Sequence, residues 1–205
     1  MKHIIINVGR QLGSGGHDIG RMLALDFQAK YYDRELLNLA AKESGFSEKF
    51  FEQNDEKKGF LKGLFNMQTS HISGGSMYKT NFSQESLFQF QSDAIQKAAR
   101  EGSCVFVGRC ADYILRDFPN TVNIFITASM QYRIKQIMNK QHLDHEEAWK
   151  FIESKESKRA AYYNYYTGKK WGAAESYDLC IDSSILGFLE TEKVIAEFIR
   201  KRFNL

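Results

Sequence analysis

Few sequence features restrict a fold as strongly as glycines crowded between a strand and a helix. Ile4-Ile-Ile-Asn-Val8 is a β-branched apolar run, and Gly9-Arg-Gln-Leu-Gly13-Ser-Gly15-Gly16-His-Asp-Ile-Gly20 follows it at once. The pattern then turns helical, with Ile19, Met22, Leu23 and Leu25 at helical spacing. Strand, glycine-rich turn and helix together make an anion-binding arrangement. Backbone N–H groups converge on the anion, the helix N-terminus adds its dipole, and glycines allow close approach. Three glycines at positions 13, 15 and 16 exceed what a plain turn requires.

Two phosphate-binding loops share this design, and the loop alone does not separate them. The dinucleotide fingerprint G-x-G-x-x-G is met at Gly13 and Gly15, with Asp33 at the end of the second strand. Its third glycine position is Asp18, whose charge would oppose a pyrophosphate. The mononucleotide signature G-x-x-x-x-G-K-[ST] is met at Gly15, with Arg10 at its first glycine, Gly16 at its lysine and His17 at its hydroxyl position.

Apolar runs recur along the chain at His3 to Val8, Ala29 to Tyr32, Ser103 to Val107, Val122 to Thr127 and Leu179 to Ile181. Several are apolar on both faces, as strands covered on both sides should be. Helical patterns lie between them, including one opened by the capping box Asp144-His-Glu-Glu147 and a closing amphipathic helix over Phe188 to Phe203. Alternating strands and helices predict a mostly parallel sheet.

Charge and composition exclude several classes. Lys and Arg number 28 against 25 Asp and Glu, a formal charge of +3, too small for a broad nucleic-acid footprint. The distribution matters more than the total. Residues 155–171 carry five cations against one Glu, which points to a small polyphosphate met by one cationic segment. No apolar run approaches a membrane span. Met1-Lys2-His3 leads into no targeting segment, and the three cysteines form no C-x-x-C pair. A cytoplasmic protein, monomeric or homodimeric, with no nucleic-acid or membrane partner is expected. Cys110 reads as a small buried filler.

Residues 47–82 stand apart. They combine Asp55-Glu-Lys-Lys58, four glycines and the apolar side chains Phe60, Leu61, Leu64, Phe65, Met67 and Met77. Such a segment within one domain is expected to be a mobile lid or binding loop, or else a helical surface insert with a disordered tip.

Several segments in order carry a family resemblance: Ile4 to Val8, Gly13-Ser-Gly-Gly16, Tyr31-Tyr-Asp-Arg34, Val107-Gly-Arg-Cys-Ala-Asp112, Ile124-Phe-Ile-Thr-Ala128 followed by Arg133, and Asp178-Leu-Cys-Ile-Asp-Ser-Ser184. The chain resembles the cytidylate kinase-like family, in the branch with G-S-G-G where true cytidylate kinases have G-S-G-K. The resemblance implies an α/β fold of the P-loop type. Its form would be a three-layer αβα sandwich around a five-stranded parallel sheet, with a helical insert and a basic, aromatic lid over residues 155–177. The resemblance makes residues 47–82 a mobile acceptor-binding insert. The whole chain, residues 1–205, would be a single kinase-like domain.

The activity implied is a phosphotransferase moving the γ-phosphoryl of ATP, with Mg²⁺, to a small acceptor such as CMP. Residues 13 to 17 (Gly13, Ser14, Gly15, Gly16 and His17) match the positions that hold donor phosphates. The lysine is missing, and Arg10, His17 or Arg21 are its possible substitutes. Arg133 matches a position near the donor base. Asp33, Arg34, Arg109 and Asp112 match the acceptor side, with Arg109 suited to grip a phosphate; Asp33 equally suits a helix N-cap. Arg159 matches the lid arginine, with Lys155 and Lys158 as helpers. The catalytic set is then Arg10, Arg109 and Arg159. No metal ligand is identified, although Ser14, Asp33 or Asp112 could act through water.

The missing lysine and hydroxyl also suit a nucleotide-binding regulator without turnover. A dinucleotide-dependent enzyme and an RNA-binding module are weaker alternatives. The latter would use the tyrosines interleaved with cations between Lys155 and Trp171.

Overall fold

A computed structural model describes residues 3–34 and 77–205. The expected 47–82 insert lies outside the described residues, apart from the helical turn at its end. By internal packing the chain divides into one unit of Met1–Arg34 with Ile95–Leu205 and a second of Glu35–Ala94. The described part of the second unit is helical.

The five apolar runs are the five strands: β1 (Ile5–Arg10), β2 (Lys30–Tyr32), β3 (Cys104–Val107), β4 (Thr121–Thr127) and β5 (Leu179–Asp182). They form one sheet in the order β2-β3-β1-β4-β5, parallel at every pairing. Among the described residues six α-helices accompany them: α1 (Gly16–Asp26), α2 (Met77–Glu101), α3 (Ala111–Ile114), α4 (Met130–Gln141), α5 (His145–Thr167) and α6 (Ser183–Phe203). The expected α/β architecture is therefore observed.

Alternation along the strands gives the sheet two buried faces. Ile4, Ile6 and Val8 pack with Val105, Val107, Ile124 and Ile126 against Ile19 and Leu23 of α1 and Ile195 and Ile199 of α6. The opposite face carries Ile5, Phe106 and Phe125, all buried. There the Cys104 thiol donates to the Ala98 carbonyl of α2 at 3.3 Å. Burying each large aliphatic side chain contributes roughly 1.5–3 kcal/mol, so the paired β1 and β3 carry much of this unit's stability.

One boundary differs from the sequence pattern in a way that matters below. β1 runs to Arg10 rather than stopping at Val8, because Gly9 and Arg10 stay in register with Phe125 and Ile126 of the longer β4. Arg10 is thus the last residue of a central strand and not part of the turn.

One helix start follows its sequence signal and another departs from it. Asp144 caps α5 in the expected capping box with Glu147. α6 starts earlier than the periodicity suggests, at Ser183, because the Asp182 carboxylate accepts from the Ser184 amide at 2.8 Å. A non-helical Gly187 then kinks it.

Candidate functional site

The glycine loop lies at the carboxyl edge of the sheet, where ligands of open α/β folds gather. Gly13 and Gly15 both take left-handed backbone, with φ of +84° and +75°. At Gly13 a Cβ would stand 2.8 Å from the Arg133 carbonyl oxygen, and at Gly15 it would enter the Phe188 ring. Gly15 caps α1 with no side-chain hydrogen bond, and the first turn of α1 lines a cleft of about 440 Å³. The opening amides of a helix have no partners within it, so this wall of the cleft offers N–H donors.

The loop is held from behind. Ser14 is fully buried, its hydroxyl donating to the Gln11 carbonyl at 2.9 Å and its own carbonyl accepting from the Ser183 hydroxyl at 2.7 Å. The Leu12 amide donates to Glu156 Oε1 at 2.9 Å. The same oxygen is 2.8 Å from Arg133 Nη1, and Arg133 Nε donates to the Ala128 carbonyl at 3.1 Å. Arg133 is thus buried and engaged in tying α4 to α5 behind the loop. Ser183 and Glu156 support the loop across long sequence separations, which local patterns do not reveal; the segment Asp182-Ser-Ser184 marks Ser183 without showing what it touches.

Cations gather in front. Arg10 and Arg159 line the cleft together with His17 and Lys140. Arg159 Nη1 donates to the Arg10 carbonyl at 3.4 Å. Burial, and then the charges of Arg159 and Arg109, hold the Arg10 guanidinium down at about 9, with Tyr31 and Asp33 opposing. Burial also lowers Arg159, Glu156 raises it, and Arg109 lowers it further. Three guanidinium groups therefore repel one another at this edge, an arrangement that an anion would relieve.

His17 takes part differently. Its Nε2 is 3.2 Å from Arg10 Nη2, and its Nδ1 is 3.1 Å from the Tyr31 hydroxyl. Burial and the Arg10 charge hold it down at about 4, with Asp33 opposing. Arg21 stands over the Tyr31 ring at 5.4 Å, one step back from the cleft.

Arg109 follows β3 in a strained turn, with Gly108, Arg109 and Cys110 all left-handed at φ of +81°, +61° and +56°. For the two non-glycine residues this costs roughly 1–2 kcal/mol each, and such strain clusters where side chains must be aimed. Arg109 is aimed over the Tyr162 ring at 5.2 Å, and the charge of Arg34 reaches the same phenol. Buried Asp33 sits close enough to act on Arg10, His17 and Tyr31. Directly before a helical Arg34, it also occupies the cap position. Asp112 accepts from the Tyr163 hydroxyl at 2.6 Å, and burial raises its carboxyl. It joins α3 to α5. Lys155 and Lys158 are exposed on α5, Lys155 above Phe151 at 5.1 Å. Cys110 is buried, as expected, and burial pushes its thiol up to about 12.

The sequence that builds this sheet and loop matches the model of the cytidylate kinase-like family over residues 5–185. The chain belongs to that family. A crystal structure of an uncharacterized protein from Eubacterium ventriosum is 27% identical, with a TM-score of 0.73, covering 96% of this chain and 98% of that one. Shikimate kinase from Bacteroides thetaiotaomicron shares the fold at 13% identity, with a TM-score of 0.53 and full coverage of both chains. Among curated proteins, no sequence matches.

Within this kinase-like family the loop departs from the ordinary metal-holding design. The Ser14 hydroxyl is committed to Gln11, and both His17 nitrogens are engaged. Among the described residues no group of three His, Cys, Asp or Glu could hold a metal ion. The Ser14 and His17 side chains are thus committed within the protein, and the loop presents amides and guanidinium groups to the cleft. Among the described residues no helix is long and apolar enough to cross a membrane.

Proposed function

We propose that the protein is a phosphotransferase that moves the γ-phosphoryl of ATP to a small acceptor, with a nucleoside monophosphate such as CMP as the first acceptor to try. The observation that carries this reading is that Arg10 and Arg159 line the cleft beside the glycine loop and touch each other, with Arg109 close enough for its charge to act on both. Phosphoryl transfer needs positioning and charge neutralisation far more than covalent chemistry. Loop amides at residues 13–17 would hold the donor phosphates. Arg159, on α5, faces the charge that develops between donor and acceptor. Arg109, with Arg34 nearby, would grip the acceptor phosphate against Tyr162, and a guanidinium fork suits that task. Lys155 and Lys158 add charge along the same helix.

The test is ADP formation from Mg·ATP with a panel of nucleoside monophosphates and other small phosphate acceptors. Acceptor-dependent ADP supports the reading; ATP binding without ADP from any acceptor defeats it. One observation favours a second reading, a nucleotide-binding regulator: the usual metal-holding hydroxyl position is His17, and both its ring nitrogens are engaged by Arg10 and Tyr31. Saturable ATP binding, equally inert in wild type and Arg159→Ala, would select it. The cytoplasm, where ATP is abundant, suits either role.

A further inference from the structure

We infer that the phosphate-facing cation of this loop has been transposed from the start of the helix to the end of the strand, so that Arg10 and Gly16 act as one coupled unit. This rests on the phosphate-binding reading of the loop and names the group that replaces its lysine. The ordinary signature has glycine at its first position and lysine directly after its last glycine. Here those two positions are Arg10 and Gly16, so cation and glycine have exchanged places.

Packing shows why one change requires the other. A Cβ at Gly16 would stand 2.5 Å from the Arg10 Cβ and 2.7 Å from its Cγ. No side chain fits at 16 while the arginine stem lies there. The guanidinium then runs over Gly108, where a Cβ would collide with Nη1. Two glycines from different loops thus form the channel in which Arg10 lies.

His17 sets its direction. A guanidinium only donates, so His17 Nε2 must accept from Arg10 Nη2. The ring proton then sits on Nδ1, which donates to the Tyr31 hydroxyl. The residue at the usual metal-holding position has become a positioning residue for the transposed cation. Arg10 Nε is buried without a hydrogen-bond partner, and the groups around it include two further arginines. An arginine kept only for packing would gain nothing from that company. An anion in the cleft would.

A double-substitution cycle tests this, read by calorimetric titration with sodium tripolyphosphate and, separately, with Mg·ATP. Circular dichroism and thermal unfolding establish that each variant is folded, and Arg10→Gln serves beside Arg10→Gly should the glycine variant unfold. Arg10→Gly is expected to weaken tripolyphosphate binding about tenfold or more, as loss of a charge-assisted contact should. Gly16→Lys alone is expected to weaken it as well, because its stem meets that of Arg10. The double variant R10G/G16K is expected to return to within about threefold of wild type, since it restores the ordinary order. Wild-type affinity in folded Arg10→Gly or Arg10→Gln, or a double variant no better than the worse single one, would overturn the exchange. Should wild type bind tripolyphosphate with the expected pattern but not ATP, the exchange stands and the nucleotide reading falls. Binding of neither probe to wild type overturns both.

Discussion

Nε2 of His17 lies 3.2 Å from Nη2 of Arg10, and this contact demands a neutral imidazole. Its consequence is pH-dependent. The folded state holds His17 at about 4 against an ordinary 6.5, so between those values the unfolded chain binds the extra proton. Stability from this residue is complete above pH 6.5 and is lost as pH falls toward 4. The loss is at most about 3 kcal/mol, and less for the water that still reaches the ring. Urea unfolding of wild type from pH 7 to 4 should therefore slope more steeply than that of His17→Gln. Parallel slopes would show that His17 does not carry the effect.

The Tyr163 hydroxyl and the Asp112 carboxylate, 2.6 Å apart, form a part-buried charge-assisted bond. Tyr163→Phe should cost about 1.5–3 kcal/mol, in the range for bonds to charged groups. Chemical denaturation measures it, and a change within about 0.5 kcal/mol, typical of an exposed position, would show that the bond does not join α3 to α5.

Arg133 and Glu156 form an ion pair with side chains only 6% and 16% exposed. Removing one partner strands the other, so Glu156→Ala should cost about 3–5 kcal/mol. The Leu12 amide loses its acceptor at the same time. Thermal unfolding of Glu156→Ala beside Glu156→Gln checks this, with the glutamine retaining an acceptor for Leu12 and losing less. Equal stability of wild type and both variants would contradict the assignment.

Much of this architecture is legible in the sequence, for identifiable reasons. The three central strands, β1, β3 and β4, are β-branched apolar runs between turns, and their burial makes them stand out, whereas the edge strands β2 and β5 are short and only half-buried. The capping box at Asp144 and Glu147 is a local signal, and it folds as the spacing says. What escapes is non-local. Gly9 and Arg10 extend β1 only because β4 is long enough to pair with them. Arg10, His17 and Arg21 are equivalent in sequence as substitutes for a lysine. Only side-chain direction ranks them, with Arg10 along Gly16 and Arg21 over Tyr31. Arg133 is picked out by the motif order, yet its partner Glu156 is on another helix and is not.

Ser183 supports the loop from α6 through its bond to the Ser14 carbonyl. Ser183→Ala should cost about 1–2 kcal/mol, because a buried carbonyl loses a donor. It should also weaken ATP binding, since the loop it braces lines the cleft. Thermal unfolding with and without ATP reads both effects; an unchanged midpoint and an unchanged ATP-induced shift would count against the brace.

The most direct test of the whole account is single-turnover transfer of labelled γ-phosphoryl from Mg·ATP to CMP and the other nucleoside monophosphates. Wild type should place label on an acceptor. Arg159→Ala, shown to be folded by circular dichroism, should do so about a hundredfold more slowly, as loss of one transition-state charge contact predicts. Label on no acceptor, in protein that binds ATP, would contradict the claim that these three arginines serve phosphoryl transfer.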